Sequence, residues 1–275
     1  MNTHYIHRPV PSLVLALGLL AHALPAAHAQ DVADLPAPVR GIEAYTSRHT
    51  LTNGYGNWHE AGVRGQWGVN NQLLGMEIAT MRRFGESGRF IGLSDTMTWN
   101  EDWFSMLSVG AGDGAAYLPR YRVDGFINRK LLPTRQWVAT LGAGYYRAPD
   151  GHIDRNISLG STYYFDLPWV VQAEIRFNNS SPGGVRTHQQ FVAATWGRAH
   201  HTQIIARHGW GAEGYQAIGN GVSLVNFDSR QSQLTLRQWL GPQWGITAGL
   251  ERYRNPYYWL LYTSPSPRDL STSRM

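Results

Sequence analysis

Side chains able to do chemistry are present in this 275-residue sequence, but their spacing gathers few of them. His200-His201 with His208 offers imidazoles of the type that hold zinc. The adjacent pair would alternate across the start of a strand and no carboxylate stands at ligand spacing, so a turn carrying solvated imidazoles is expected. Ser158 and His208 could act as nucleophile and base of a hydrolase set in a β-wall, provided they lay on neighbouring strands. Nothing in their spacing pairs them. Asp113, Asp150 and Asp228 would serve a paired-carboxylate mechanism only if three separate loops converged. Gly112-Asp113-Gly114 and Gly219-Asn220-Gly221 imitate phosphate cradles, yet no helix follows either one. The sequence therefore predicts no catalytic residue, no cofactor and no metal site.

A second set of charges is more telling. Glu43, Glu60, Arg64, Glu77, Arg122, Asp124, Glu174, Arg176, Arg207, Arg237 and Glu251 sit in the middle of stretches that alternate apolar and polar side chains. Alternation with period two puts one set on each face of a strand. In 169–177, Trp169, Val171, Ala173, Ile175 and Phe177 share one face, while Gln172, Glu174 and Arg176 share the other. The same pattern runs through 60–69, 136–147 and 243–251. Thirteen candidate strands follow: 39–50, 57–69, 72–84, 89–99, 103–111, 119–130, 136–147, 152–164, 168–178, 187–197, 201–209, 229–239 and 242–254.

Two arrangements alternate in this way, a soluble sandwich and a membrane barrel. Most of these stretches are about 9 to 11 residues or more, long enough to cross a bilayer at a tilt. Aromatics gather near their ends, at Trp58, Trp67, Trp99, Trp103, Trp137, Tyr145, Tyr163, Tyr164, Trp169, Trp196, Trp239, Trp244, Tyr253 and Tyr257, where amphipathic rings would meet headgroups. Breaks between stretches alternate between tight turns and longer glycine-containing loops, as periplasmic turns and outer loops do. The expected fold is all-β: an antiparallel transmembrane β-barrel with the named charges facing the lumen. Asp95 falls on the lipid side of its stretch, and a bulge or a one-residue shift is expected to turn it away.

Composition narrows the class further. Charged residues make up 16%, aromatics 12%, and there is no cysteine, which excludes a disulfide scaffold and a thiolate site. The net charge of +5 comes almost wholly from scattered arginines, Lys130 being the only lysine, so nucleic acid is not an expected partner. Residues 1–29 read as an export signal, with an apolar stretch at 13–24 and Ala27-His28-Ala29 before the cut. Residues 30–38 would be a periplasmic lead and 39–259 the barrel. Outer-membrane lipid, with periplasmic chaperones and the barrel assembly machinery during export, would be its partners.

Asn128-Arg129-Lys130-Leu131-Leu132-Pro133 leading into Leu141-Gly142-Ala143-Gly144-Tyr145-Tyr146, and Leu234-Thr235-Leu236 leading to Gly245-Ile246-Thr247-Ala248-Gly249, resemble the YaiO family of outer-membrane barrels. The resemblance spans roughly residues 39–258. It implies a barrel of about 14 strands in the outer membrane of a Gram-negative bacterium, with a loose link to surface polysaccharide and no catalytic residues. The segment Leu260–Leu270 resembles a translated sequencing-library adapter, so 260–275 reads as a non-native tail. Thirteen strands is an odd count, and single-chain bacterial barrels have an even one, so the last strand is expected to be missing and the seam left open.

The functional reading is a barrel at the cell surface, a channel or docking barrel connected with saccharide handling. The alternatives are a closed structural barrel whose extracellular loops bind a partner, and an outer-membrane hydrolase. The segment 210–228, with Tyr215, Leu224 and Phe227, is expected to fold inward as a constriction or outward as a binding surface. Tyr55, Tyr117 and Trp210 are expected to be interfacial anchors rather than sugar platforms.

Overall fold

Alternating side chains give a sheet one greasy face and one wet face, and a membrane forces such a sheet to close so that no backbone group is left unpaired. The computed structural model describes residues 40–219 and 221–269, with 261–269 as backbone alone; the expected signal, the lead and residues 270–275 lie outside the described residues. Fourteen strands follow in order: β1 Arg40–Leu51, β2 Asn57–Val69, β3 Gln72–Arg83, β4 Glu86–Thr98, β5 Trp103–Asp113, β6 Tyr121–Leu131, β7 Trp137–Arg147, β8 Ile153–Tyr164, β9 Trp169–Ser181, β10 Val185–Gly197, β11 Thr202–Ala217, β12 Ser223–Trp239, β13 Trp244–Arg254 and β14 Trp259–Asp269. Each pairs antiparallel with its neighbour in sequence, and β14 returns to β1 to close the barrel.

The outward face carries the aliphatic side chains. Ile78, Leu93, Leu107, Leu141, Ile157, Leu159 and Leu234 are each about half exposed, which in a soluble protein would be a large aggregation-prone surface. Tryptophans ring the end that carries the tight turns: Trp67, Trp99, Trp103, Trp137, Trp169, Trp196 and Trp244 all point outward. The indoles of Trp99 and Trp137 donate to Ser105 and Ser161, both at 2.9 Å. This end is the periplasmic one, and the longer hairpins mark the extracellular end.

Three expectations change. The seam is closed, because Trp259–Asp269 lies between β13 and β1. Two sheet edges facing each other across one strand width can accept any backbone that reaches, since ladder bonds are main-chain bonds. The closure is uneven. Pairing with β13 runs unbroken from Arg254↔Trp259 to Trp244↔Asp269, whereas pairing with β1 lapses between Glu43↔Arg268 and Arg48↔Thr263, beside Ser264-Pro265-Ser266-Pro267. A proline nitrogen has no hydrogen to offer a ladder.

Asp95 is not turned away. The β3–β4 and β4–β5 registers run through Leu74↔Asp95 and Asp95↔Leu107 without a bulge, so the carboxylate stays on the lipid side. It lies near the periplasmic end, where Gln72 Nε2 donates to its Oδ2 at 3.1 Å. A charge there costs far less than one at mid-bilayer.

Finally, 210–228 is mostly strand. Glu213↔Phe227, Tyr215↔Val225 and Ala217↔Ser223 prolong the β11–β12 hairpin beyond its neighbours. Pairing skips Gly214 and Asn226, the latter at φ +50°, and the buried phase passes from Phe227 to Leu224 there, which gives this stretch the look of a loop in sequence.

Candidate functional site

The inward face has two storeys. In the middle, the register puts an acid, a base and an acid in one row across three strands, Glu43↔Arg64 and Arg64↔Glu77. Arg64 Nε donates to Glu43 at 2.7 Å. The Tyr45 hydroxyl donates to Glu77 at 2.6 Å and to Glu60 at 3.3 Å, and Arg83 donates to Glu60 at 3.0 Å. Gly62 makes room for this cluster, because a Cβ there would lie 2.6 Å from the Tyr45 ring. The β1–β3 wall is thus acid-rich and cross-linked.

The wall opposite is richer in arginine. β2 and β9 are seven steps apart in a ring of fourteen, so they face each other across the lumen. Arg176 is ion-paired to Glu174, two residues away on β9, and Arg122 to Asp124 on β6. Arg176 and Arg207 both lie over the Phe191 ring, at 5.2 and 4.7 Å. That ring rests against Gly209, where a Cβ would come within 2.7 Å of it. Arg237 points inward from β12 opposite Thr247 and Gln203. Glu251 on β13 is 1% exposed; Gln231 donates to one of its oxygens at 2.6 Å, and the other has no hydrogen-bond partner. Amides complete the wall, with Gln172, Gln189, Gln203 and Gln233 on the same inward parity.

Above this lies an aromatic storey. Trp58, Tyr253, Tyr258, Leu51, Leu224, Phe227 and Leu260 form one buried cluster, with Tyr55, Phe84 and Ile218 packed on it. Phe84 meets Trp58 edge-on at 4.6 Å, and it also packs on a second cluster, Ala115, Tyr117 and Leu118 of the β5–β6 loop. The β11–β12 hairpin reaches across the mouth to it: a Cβ on Gly219 would stand 2.9 Å from that of Phe84. On the far side of the same hairpin, Tyr215 stacks on His152 at 3.5 Å, its hydroxyl donates to Asp150, and Ser223 donates to that hydroxyl at 2.7 Å. Hairpins from around the rim therefore meet over the lumen.

The aromatic storey corrects several expectations. Trp58 and Tyr253 are 1% exposed and lie inside the barrel instead of at the lipid boundary. Tyr55 and Tyr117 join the mouth packing, Tyr117 donating to the Met81 carbonyl at 2.8 Å; only Trp210 stays on the outer wall, beside His208. The segment 210–228 folds inward, with Leu224 and Phe227 buried. Sequence parity alone would have added Arg83, on the phase of Glu77, and Lys130, on the phase of Asp124; Glu213 keeps the phase of Arg207 but lies beyond 209, where the candidate strand ends.

The chemistry weighed from sequence does not assemble. Ser158 is buried on the inward face of β8, while His208 lies on the outward face of β11 with its Nδ1 2.9 Å from Ser232, so the barrel wall separates them. Asp113 bonds Arg89, Asp150 bonds Tyr215, and Asp228 is exposed opposite Ala212. His200 sits in the β10–β11 turn, 4.5 Å from the Trp239 ring. Among the described residues no three histidines, aspartates or glutamates could hold a metal ion.

Solved structures share the architecture. A protein described as the CymD monoaromatic hydrocarbon channel matches with TM-score 0.56 at 9% identity over 90% of this chain and 92% of its own. One described as a bacterial polysaccharide outer membrane secretin matches with TM-score 0.54 at 11% identity, over 85% and 99%. The outer membrane protein Omp33 of Acinetobacter baumannii matches with TM-score 0.50 at 8% identity, over 85% and 98%. At such identities the likeness is one of fold. No curated protein matches the chain. A family profile described as YaiO membrane beta barrel domain matches residues 39–216, well over half of the sequence, and the chain accordingly belongs to the YaiO family of outer-membrane β-barrels.

Proposed function

We propose that this protein is a conduit that rests shut, open to the periplasm below and stoppered outside by its own hairpins, and that it handles hydroxyl-rich solutes, saccharides foremost. The observation that carries the reading is the split of the lumen into a polar storey and an aromatic one. Acid-rich and arginine-rich walls facing each other orient a polar solute, and amides with an aromatic ring are the partners a sugar uses. A resemblance in fold to a barrel described as a polysaccharide secretin is compatible with this but does not identify the solute. The same geometry argues against catalysis, since the weighed nucleophile and base lie on opposite faces of the wall. Outer-membrane lipid, periplasmic chaperones and the assembly machinery remain its proposed partners.

Planar-bilayer recording of the full chain tests the reading. The unaltered protein should be nearly silent, and a variant with 212–227 replaced by a short turn, or F84A/Y258A, should give stable ohmic steps. Steps that an added oligosaccharide interrupts support the saccharide component; uninterrupted steps remove it. A folded but silent hairpin variant transfers the argument to the closed structural barrel, which the inward-facing ion pairs of Arg64 and Arg83 favour.

A further inference from the structure

On the outer wall, the extracellular ends of β12, β13 and β1–β3 carry a row of arginines with one histidine among them. Arg48↔His59 and His59↔Arg82 are direct cross-strand partners, as are Arg230↔Arg254, with Arg252 two residues along β13 from Arg254. All six side chains are exposed and on the outward parity. Among the described residues none of these five arginines forms an ion pair, and the only outward acid of the sector, Asp228, pairs with none of them. Arg89 on the same rim holds Asp113 and Arg135 at the periplasmic turns holds Glu101 and Asp102, whereas Arg120, Arg155 and Arg186 are exposed and, among the described residues, without an ion pair too; what sets this arc apart is that its charges stand directly opposite one another across strands.

Like charges set directly opposite on a sheet repel, so Arg230 and Arg254 gain from an anion lying between them. Their height says which anion. His59 stands eight residues above Trp67 on β2, and Arg252 stands eight above Trp244 on β13. At about 3.3 Å per residue and a tilt of roughly 40°, that is about 20 Å above the periplasmic tryptophan ring, close to the outer edge of a hydrocarbon band about 25 Å tall. Trp259 fixes two of the cations there, its ring lying 4.3 Å from the Arg254 guanidinium and 5.2 Å from that of Arg252. Guanidinium pairs with phosphate oxygens in a two-pronged geometry, and basic clusters at headgroup height recognise anionic lipid.

We infer that this arc is a docking belt for a phosphorylated glycolipid of the outer leaflet, its phosphates seated between Arg230, Arg252 and Arg254 on one side and among Arg48, His59 and Arg82 on the other. The belt is on the outside of the wall and does not depend on the conduit reading.

Native mass spectrometry of the full barrel in detergent, titrated with bisphosphorylated lipid A, tests it. Saturable retention is expected, weaker by roughly tenfold or more for dephosphorylated lipid A and for R230Q/R254Q or R48Q/R82Q, with R230K/R254K retaining part of the binding. Heat-modified gel migration establishes that each variant is folded, and an unfolded glutamine pair is replaced by the lysine pair measured against the two lipids. Equal retention of both lipids, or retention unchanged in every variant, overturns the inference. Competition by millimolar inorganic phosphate as effective as that by lipid A overturns it too, by assigning the arc to a free ion.

Discussion

The two ends of the lumen are built from the same alternating strands and finished in opposite ways. At the extracellular mouth the inward positions include Trp58, Tyr253, Tyr258 and Phe84, which pack ring against ring; at the periplasmic end Asn128, Thr140, Thr162 and Gln172, joined by hydrogen bonds such as Thr140 to Asn128 at 2.7 Å, stand among Phe104, Val138 and Tyr164. Large rings reach across a barrel and bury apolar area against one another, whereas short hydroxyls and amides bond along the wall. Hairpin length follows the same division, with long loops above and tight turns below. The proposed closure therefore rests on the mouth, and the mouth can be altered without touching the other end.

Trp58→Ala is the largest expected blow to that asymmetry. It removes a fully buried indole packed on Phe84 and beneath the Arg83 guanidinium, and should cost about 3–5 kcal/mol in denaturant unfolding while raising conductance. Conductance unchanged at that cost would mean the mouth packing does not set the closure. Arg83→Ala comes next, at about 3 kcal/mol, because Arg83 and Glu60 are both largely out of water and the carboxylate is left unpartnered by its guanidinium. A double-mutant cycle with Glu60→Gln checks it, and additivity would dissolve the pair as a brace. At the polar end, Thr140→Val should cost only about 1 kcal/mol, the net worth of one neutral hydrogen bond, with no change in conductance. A loss as large as that of Trp58→Ala would erase the contrast.

P265V/P267V works in the other direction. Restoring two donors beside the lapse in the β1–β14 ladder should stabilise the seam by about 1 kcal/mol, read as slower hydrogen exchange at Ala44–Ser47. The smallest effect is one of pH. Burial pushes the Asp150 carboxyl up, but the Tyr215 hydroxyl and the His152 amide hydrogen outweigh it and hold Asp150 below the usual carboxylate range. A depressed folded value means the tether is at full strength above the unfolded value of about 4 and weakens as pH falls through the folded one. Hydrogen-exchange protection in 213–217, taken relative to the intrinsic rate at each pH, should therefore fall between pH 7 and pH 3 more than protection around Thr140.

Much of the wall was legible because period two is a local property. The ladder partners of Glu43, Arg64 and Glu77 could not be read, but their shared inward face could, from nothing more than even or odd position along each strand. What escaped was whatever depended on a break in that period or on a meeting at a distance. Asn226 shifts the phase within 210–228, which resembles a loop, and Asp95 keeps its side although a bulge, which the register does not contain, was expected to turn it. Tyr55 and Tyr117 were assigned to the lipid boundary because an aromatic at a strand end has two places to go, and only the meeting of several hairpins decides which.

By itself, then, the sequence determined that the strands cross a membrane and, in the strand middles, which side chains face lipid and which face the lumen. Side-chain alternation suffices for that, since each strand carries its own two faces. Tertiary structure decided that the seam closes with Trp259–Asp269, that aromatic side chains of several hairpins pack together at the mouth, and that arginines scattered over β12, β13 and β1–β3 line up at one height. Those outcomes depend on register and on contacts between residues up to about two hundred positions apart, such as Thr52 with Trp259, and no local pattern contains that information.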